Sequence, residues 1–323
     1  MALDKQAELL LTGLEESGLP PLHEMTIPEA RQVYAAAVAE HGIAPEPVAD
    51  IAEHRIPGPN GDIPIRVYIP EGSRPQPVLV FFHGGGWALG DLEVTHGACT
   101  VLANRAHAIV VSVDYRLAPE HPFPAAVTDC WAATRWVRDN AALIGADPER
   151  LAVGGDSAGA NLAAVMAHLA RDEAFAALRF QLLFYPATDA TEFSASYAEN
   201  GEGYFLTAEL MRLFYDQYLP EHRDRSDPRA SPLHAPDHSG LAPALIVTAG
   251  YDPLRDEGEA YAARLTAAGT AVTVSRYPGQ IHAFAANFAG AINEGRRCLD
   301  EAGLALRQAF RAGWSPRLWL SEE

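Results

Sequence analysis

The feature that most constrains this chain is a rhythm. From residue 78 onward, short apolar runs rich in β-branched residues recur, with helical stretches between them. The runs are VLVFF (78–82), IVVSV (109–113), LAVGG (151–155), FQLLF (180–184), ALIVTAG (244–250) and AVTVSRY (271–277). Spacers such as DCWAATRWVRDN and ANLAAVMAHLARD are long enough for a helix. Alternation of strand and helix gives a parallel sheet with helices on both faces, because parallel neighbours need a crossover at every step. Upstream, Ile63, Ile65, Val67 and Ile69 alternate with other residues, the period of a strand with one buried face. With two early strands included, an α/β fold of about eight strands is expected, the first few antiparallel.

Two intervals stand outside the rhythm. Residues 1–45 read as helical: a Leu-rich segment ends at Gly18 and Pro20-Pro21, and a second helix begins at Thr26, where T-I-P-E has capping-box spacing. Residues 188–236 hold no convincing strand, are rich in aromatics and charges, and are too long for a plain loop. The expected division is therefore a helical cap from 1–50 and 188–236. The α/β core is 51–187 and 237–315, with a C-terminal tail at 316–323.

The formal charge of −18 argues against a nucleic-acid partner, since phosphate binding needs a basic surface. Its plain meaning is solubility. The first residues carry Asp4, Glu8, Glu15 and Glu16 and lack the apolar core of a secretory signal. No run approaches the ~18 apolar residues of a membrane span, so no stable membrane insertion is expected. Cys99, Cys130 and Cys298 are widely separated and in no metal-ligand spacing. They read as reduced structural residues of a cytoplasmic protein, with no metal site.

The segment that carries chemistry is LAVGGDSAGANLAAVMAHLA. Gly155-Asp156-Ser157-Ala158-Gly159 fits G-x-S-x-G, between an apolar strand and an Ala-rich helix. A nucleophile on such a sharp strand-to-helix turn sits in strained backbone, and the residues two before and two after must lack side chains for the turn to close. The helix N-terminus favours negative charge developing at Ser157. By itself the pattern occurs by chance in roughly one chain in ten, so the rest of the site must support it.

His83-Gly84-Gly85-Gly86-Trp87 directly follows VLVFF. Three glycines after a strand leave backbone N–H groups unshielded, as an oxyanion-binding loop requires, although a flexible glycine turn has the same composition. Gly85 and Gly86 are the candidate donors, with Ala158 N–H as a third. His83 and Gly84 read as supporting residues, and His83 as a structural hydrogen-bonding group rather than a base. The remaining partners of a serine nucleophile should follow in the order acid, then histidine, each after a later strand. Asp252 follows ALIVTAG and His282 follows AVTVSRY. His282 would act as general base and Asp252 would orient it. Asp256 is the rival acid, one turn further on.

Taken together, HGGGW (83–87), DYRLAPEHPFPAA (114–126), GDSAGAN (155–161), DPLRDEG (252–258) and IHAF (281–284) resemble the hormone-sensitive lipase family of α/β-hydrolases, in its bacterial GDSAG-type esterase branch. The likeness runs from about residue 50 to residue 311. It implies an α/β-hydrolase fold with a helical cap, no cofactor, and hydrolysis of short-to-medium acyl esters. It gives Asp156 a structural or site-adjacent role outside the triad. DYRLAPEHPFPAA is highly characteristic yet has no obvious part in the chemistry. Family members usually carry glycine after the histidine, where this chain has Ala283. Many members dimerise through the edge strand, here 271–277, so a homodimer is the corresponding expectation.

Two other readings share the fold. A ligand-binding protein is the first, but receptors of the family have lost the histidine that is present here. The second is an amidase, lactonase or carbamate-cleaving enzyme, since the same triad serves them all and the pocket decides.

Overall fold

The computed structural model describes residues 2–175 and 178–312, so the expected tail at 316–323 lies outside the described residues. Two helices, α1 (Lys5–Glu16) and α2 (Ile27–His41), precede a hairpin of β1 (Asp50–Gly58) and β2 (Gly61–Ile69). Next come β3 (Gln76–Phe82), α3 (His96–Ala106), β4 (Ile109–Val113), α4 (Ala125–Asp139) and the single turn α5 (Ala141–Ile144). Then follow β5 (Ala146–Asp156), α6 (Ala158–Asp172), β6 (Phe180–Phe184), α7 (Ala195–Asn200) and α8 (Ala208–Tyr218). The last elements are β7 (Ala244–Tyr251), α9 (Arg255–Ala267), β8 (Val272–Ile281) and α10 (Asn293–Ala312).

The strands form one 8-stranded sheet in the order β1-β2-β4-β3-β5-β6-β7-β8. β1, β2 and β4 pair antiparallel, and every later pairing is parallel. The alternation of strand and helix was thus a sound guide to the sheet. The first strand of the hairpin was harder to place, because its residues from Asp50 to Gly58 mix charges with apolar side chains along an edge.

Every residue of β3 and β4 is buried, as expected for strands covered on both faces. Alternate side chains of β3 enter opposite layers. Val78, Val80 and Phe82 join the core under α4 and α6, whereas Leu79 and Phe81 join the one under α3 and α10. Each such side chain contributes about 1.5–3 kcal/mol by leaving water. β8 departs from its expected range. The apolar run covers 271–277, but the strand spans Val272–Ile281: it bends at an irregularity beside Gly250 and pairs again, Tyr251 with Ile281. That detour carries the chain to the carboxyl end of the sheet.

The two irregular intervals are helical and meet each other. α2 starts where expected, with the Glu29 carboxylate accepting from both the N–H and the hydroxyl of Thr26. A 3-10 turn at Leu22–Glu24 packs on α8, and His23 Nε2 lies 3.1 Å from Glu209. Asp4 caps α1 and is tied to the core by its own N–H, which donates to Gly279 O at 2.9 Å. The three cysteines are free and buried. Among the described residues, no helix is long and apolar enough to cross a membrane.

Candidate active site

The turn between β5 and α6 is as tight as its glycines suggest. A Cβ on Gly155 would lie 2.4 Å from the backbone of Gly159, and one on Gly159 would lie 1.9 Å from Phe82 O. Ser157 has φ 55° and ψ −118°, outside the ordinary regions for a residue with a side chain. Its N–H donates to Phe184 O at 2.9 Å, which fixes the turn to the neighbouring strand β6.

Three loops at the carboxyl ends of parallel strands bring the chemistry together. Ser157 follows β5, Asp252 follows β7 and His282 follows β8. His282 Nε2 is 2.9 Å from Ser157 Oγ, and its Nδ1 is 2.7 Å from Asp252 Oδ2. The other carboxylate oxygen of Asp252 accepts Leu254 N–H at 2.8 Å, so the acid is held on both sides. All three side chains are buried, and the Tyr185 ring lies 4.8 Å from the imidazole. Asp256 is elsewhere engaged. It accepts Ser196 N–H at 2.9 Å and pairs with Arg255 at 2.8 Å. Ala283 has φ 68°, a left-handed conformation that glycine adopts without strain, which accords with the glycine that the family resemblance leads one to expect here.

The glycine loop after β3 lies beside this turn because β3 and β5 pair, Phe82 opposite Gly155. Gly84 N–H donates to Asp156 Oδ1 at 2.8 Å, and a Cβ on Gly84 would meet that carboxylate at 2.4 Å. Gly85, Gly86 and Trp87 all have positive φ, at 113°, 60° and 57°. Among the described residues, no protein acceptor is recorded for the N–H groups of Gly85, Gly86 or Ala158. His83 is fully buried, its Nδ1 is 2.8 Å from Gly84 O, and its ring stacks on Tyr115 at 4.4 Å. Burial pushes its pKa down, so the ring is neutral. Burial also pushes the Asp156 carboxyl up to about 7, against the opposing pull of the Gly84 N–H.

Over Ser157 lies a narrow cavity of about 30 Å³, bordered by Gly85, Gly86, His282 and Phe214. A larger apolar hollow of about 410 Å³ adjoins it, between the N-terminal segment and the stretch 203–210. Leu22, Tyr34, Phe205 and Leu210 border both spaces. Phe205 and Phe214 belong to the aromatic-rich interval 188–236. Leu22, Tyr34 and Leu210 carried no signal, because nothing local marks a side chain that meets a distant serine. Among the described residues, no group of three or more His, Cys, Asp and Glu side chains is placed to hold a metal ion.

Residues 79–286 match the family described as alpha/beta hydrolase fold. The chain is 46% identical over 293 residues to "Carboxylic ester hydrolase LipN" of Mycobacterium tuberculosis, covering 87% of this chain and 77% of the relative. It is 38% identical over 284 residues to an "Ethyl acetate hydrolase" of Pseudomonas putida, covering 86% of this chain and 89% of the relative. Among solved structures, an ester-hydrolase from the metagenome of Lake Arreo superposes with a TM-score of 0.93 at 42% identity, over 96% of this chain and all (100%) of the other. A hyperthermophilic esterase from the archaeon Pyrobaculum calidifontis superposes with a TM-score of 0.92 at 41% identity, over 95% of this chain and 99% of the other. The family match and this extent of similarity show that the chain belongs to the α/β-hydrolase family, in the group that includes hormone-sensitive lipase.

Proposed function

We propose that the protein is a serine carboxylesterase that hydrolyses short-to-medium acyl esters through an acyl-enzyme. The observation that carries this reading is the unbroken chain from Ser157 Oγ to His282 to Asp252, at 2.9 and 2.7 Å, opening into a cavity. Ser157 Oγ attacks the ester carbonyl as His282 Nε2 takes its proton. Asp252 holds the Nδ1–H tautomer and stabilises the imidazolium. The carbonyl oxygen becomes an oxyanion held by the N–H groups of Gly85, Gly86 and Ala158. His282 then returns the proton to the departing alcohol. A water, deprotonated by the same imidazole, attacks the acyl-serine and releases the acid. No cofactor enters these steps.

The cap is the pair of helical intervals, 1–50 and 188–236, around the α/β core. The 30 Å³ at the serine accommodates little beyond the reacting group, so a longer acyl chain would extend into the neighbouring 410 Å³ hollow. A binding-only role fits poorly with a histidine in hydrogen-bond reach of the serine. The reading also includes a homodimer formed edge to edge through the segment 271–277, most of which lies in β8.

The direct experiment pairs Ser157→Ala with turnover of p-nitrophenyl butyrate and stoichiometric labelling by a p-nitrophenyl phosphonate. Loss of at least ~10⁴ in kcat is expected, with the fold intact by circular dichroism and no label incorporated. Retained turnover, or phosphonylation at another residue of the parent enzyme, rejects Ser157 as nucleophile.

A further inference from the structure

The loop that presents Gly85 and Gly86 is strained. Gly85, Gly86 and Trp87 are successive residues with positive φ, and the last of them has a bulky side chain. Such backbone persists only where its surroundings over-determine it. Within the loop, Gly85 O accepts the N–H groups of Ala88 and Leu89, at 3.1 and 2.8 Å. Two later carbonyls of the loop are held from outside. Trp87 O accepts Ala118 N–H at 2.9 Å, and Ala88 O accepts Arg31 Nε–H at 2.8 Å.

Arg31 lies on α2, 57 positions from Ala88 in the chain. Its Nη2 also donates to Ala118 O at 3.1 Å, and its two terminal nitrogens grip the Glu120 carboxylate at 2.8 and 2.7 Å. A closed ring results: Trp87 to Ala118, Ala118 to Arg31, Arg31 to Ala88. One planar guanidinium joins α2, the glycine loop and the segment 114–124. An ammonium is a point charge and cannot span two carbonyls and a carboxylate in this way. The ion pair itself adds little, since the Glu120 side chain is 52% exposed and screened by water. The carbonyl bonds matter more, because Ala88 and Ala118 are buried.

We propose that Arg31 is a positioning residue that holds the glycine loop in its strained form and keeps the N–H groups of Gly85 and Gly86 aimed at the reacting oxygen. The same device gives DYRLAPEHPFPAA a task. Its Tyr115 hydroxyl donates to His83 O at 2.7 Å while its ring stacks on His83, and its Ala118 anchors Trp87. α2 also supplies Tyr34 to the cavity wall. One helix of the cap therefore both bounds the substrate and braces the loop.

The proposal rests on Gly85 and Gly86 as oxyanion donors, and the test separates the two. Arg31→Ala and Arg31→Lys are compared with the parent for kcat and KM on p-nitrophenyl acetate and butyrate, and for Ki of an alkyl trifluoromethyl ketone, which binds as a tetrahedral adduct. For Arg31→Ala we expect kcat to fall about 10- to 100-fold with KM changed less than about twofold. The Ki should rise in parallel with the loss in kcat/KM, and added methylguanidinium should restore part of the activity in this variant alone. Arg31→Lys keeps the charge and serves if the alanine variant does not fold. It should lose about fivefold or more in kcat at an unchanged melting temperature. Full activity in the lysine variant overturns the proposal, as does a loss carried by KM alone or unaccompanied by a change in ketone Ki. If the parent enzyme itself does not bind the ketone more tightly than the product acid, the oxyanion assignment fails instead.

Discussion

Asp156 sits between the nucleophile and the glycine loop, and burial pushes its carboxyl up to about 7 against the opposing pull of the Gly84 N–H, the His282 charge and its own N–H. The sign of its effect on stability follows from that. Its folded value, about 7, is raised above the ordinary 3.8, so its favourable contribution is complete below 3.8 and is lost as pH rises through about 7. Asp156→Asn keeps an acceptor for Gly84 N–H and removes the ionisation. Urea denaturation should find the variant and the parent alike near about pH 4. By about pH 8 the variant should be the more stable, by a few kcal/mol at most, at ~1.4 kcal/mol per unit. Parallel curves across that range would place the ionisation elsewhere. At this scale the sequence was readable wherever chemistry demands a residue type at a fixed place in the fold. Ser157, Asp252 and His282 each follow a strand in the order the turn geometry dictates. Asp252 was preferred over Asp256; Asp252 Oδ2 lies 2.7 Å from His282 Nδ1, whereas Asp256, in the first turn of α9, is turned to Ser196 and Arg255. Arg31 was invisible for the opposite reason: nothing local marks a helical arginine whose carbonyl partner lies 57 positions away.

Elements were legible where periodicity is strong. The six apolar runs all fall on strands; the first five are buried on both faces and therefore apolar throughout, whereas β8 is a partly exposed edge. β8 extends past the apolar run 271–277 to Ile281; Pro278 to Gln280 carry no apolar pattern, and the pairing resumes only after the bend opposite Gly250. The helical intervals were found, but their side-chain partners were not, for α8 and the 3-10 turn at Leu22 meet across more than half of the sequence. That meeting sets an expectation for substrate length. Phe205, with φ 67° and its ring 4.8 Å from Phe288, borders both the cavity at Ser157 and the larger hollow. Removing the ring should join the two spaces. Phe205→Ala is expected to move the optimum among p-nitrophenyl esters toward longer chains, raising kcat/KM for the octanoate over the acetate by about 3- to 10-fold. Deleting the first 40 residues removes Leu22 and Tyr34 from the same wall and should flatten the profile while lowering stability. Unchanged chain-length profiles in both variants would remove these elements from the acyl site.

For the molecule as a whole, sheet order and charge bear together on assembly. The sheet ends in two edges, β1 and β8, and an uncovered edge is a template for pairing. β1 carries Asp50, Glu53, Arg55 and Pro57, which discourage a second strand. β8 carries fewer such guards over 271–277, with Arg276 occupied by Glu259 and Val274 43% exposed. Pairing of β8 with its own copy about a twofold axis would join the two sheets and bury Val274 near its symmetry mate. Against this stands the net charge of −18 on each chain, which two protomers must bring together. Salt shortens the reach of that repulsion to about 10 Å at 0.1 M. The proposed homodimer should therefore strengthen as salt is raised, contrary to an assembly held by ion pairs. Light scattering after gel filtration should give about twice the 34.7 kDa of one chain at moderate salt, with dissociation on dilution at low salt. Val274→Lys would set two like charges across the axis and should yield the single-chain mass under conditions where the parent is paired, with activity on p-nitrophenyl butyrate retained. A parent enzyme that stays at the single-chain mass at every salt concentration, or a lysine variant that pairs as well as the parent, excludes the β8 edge as the interface.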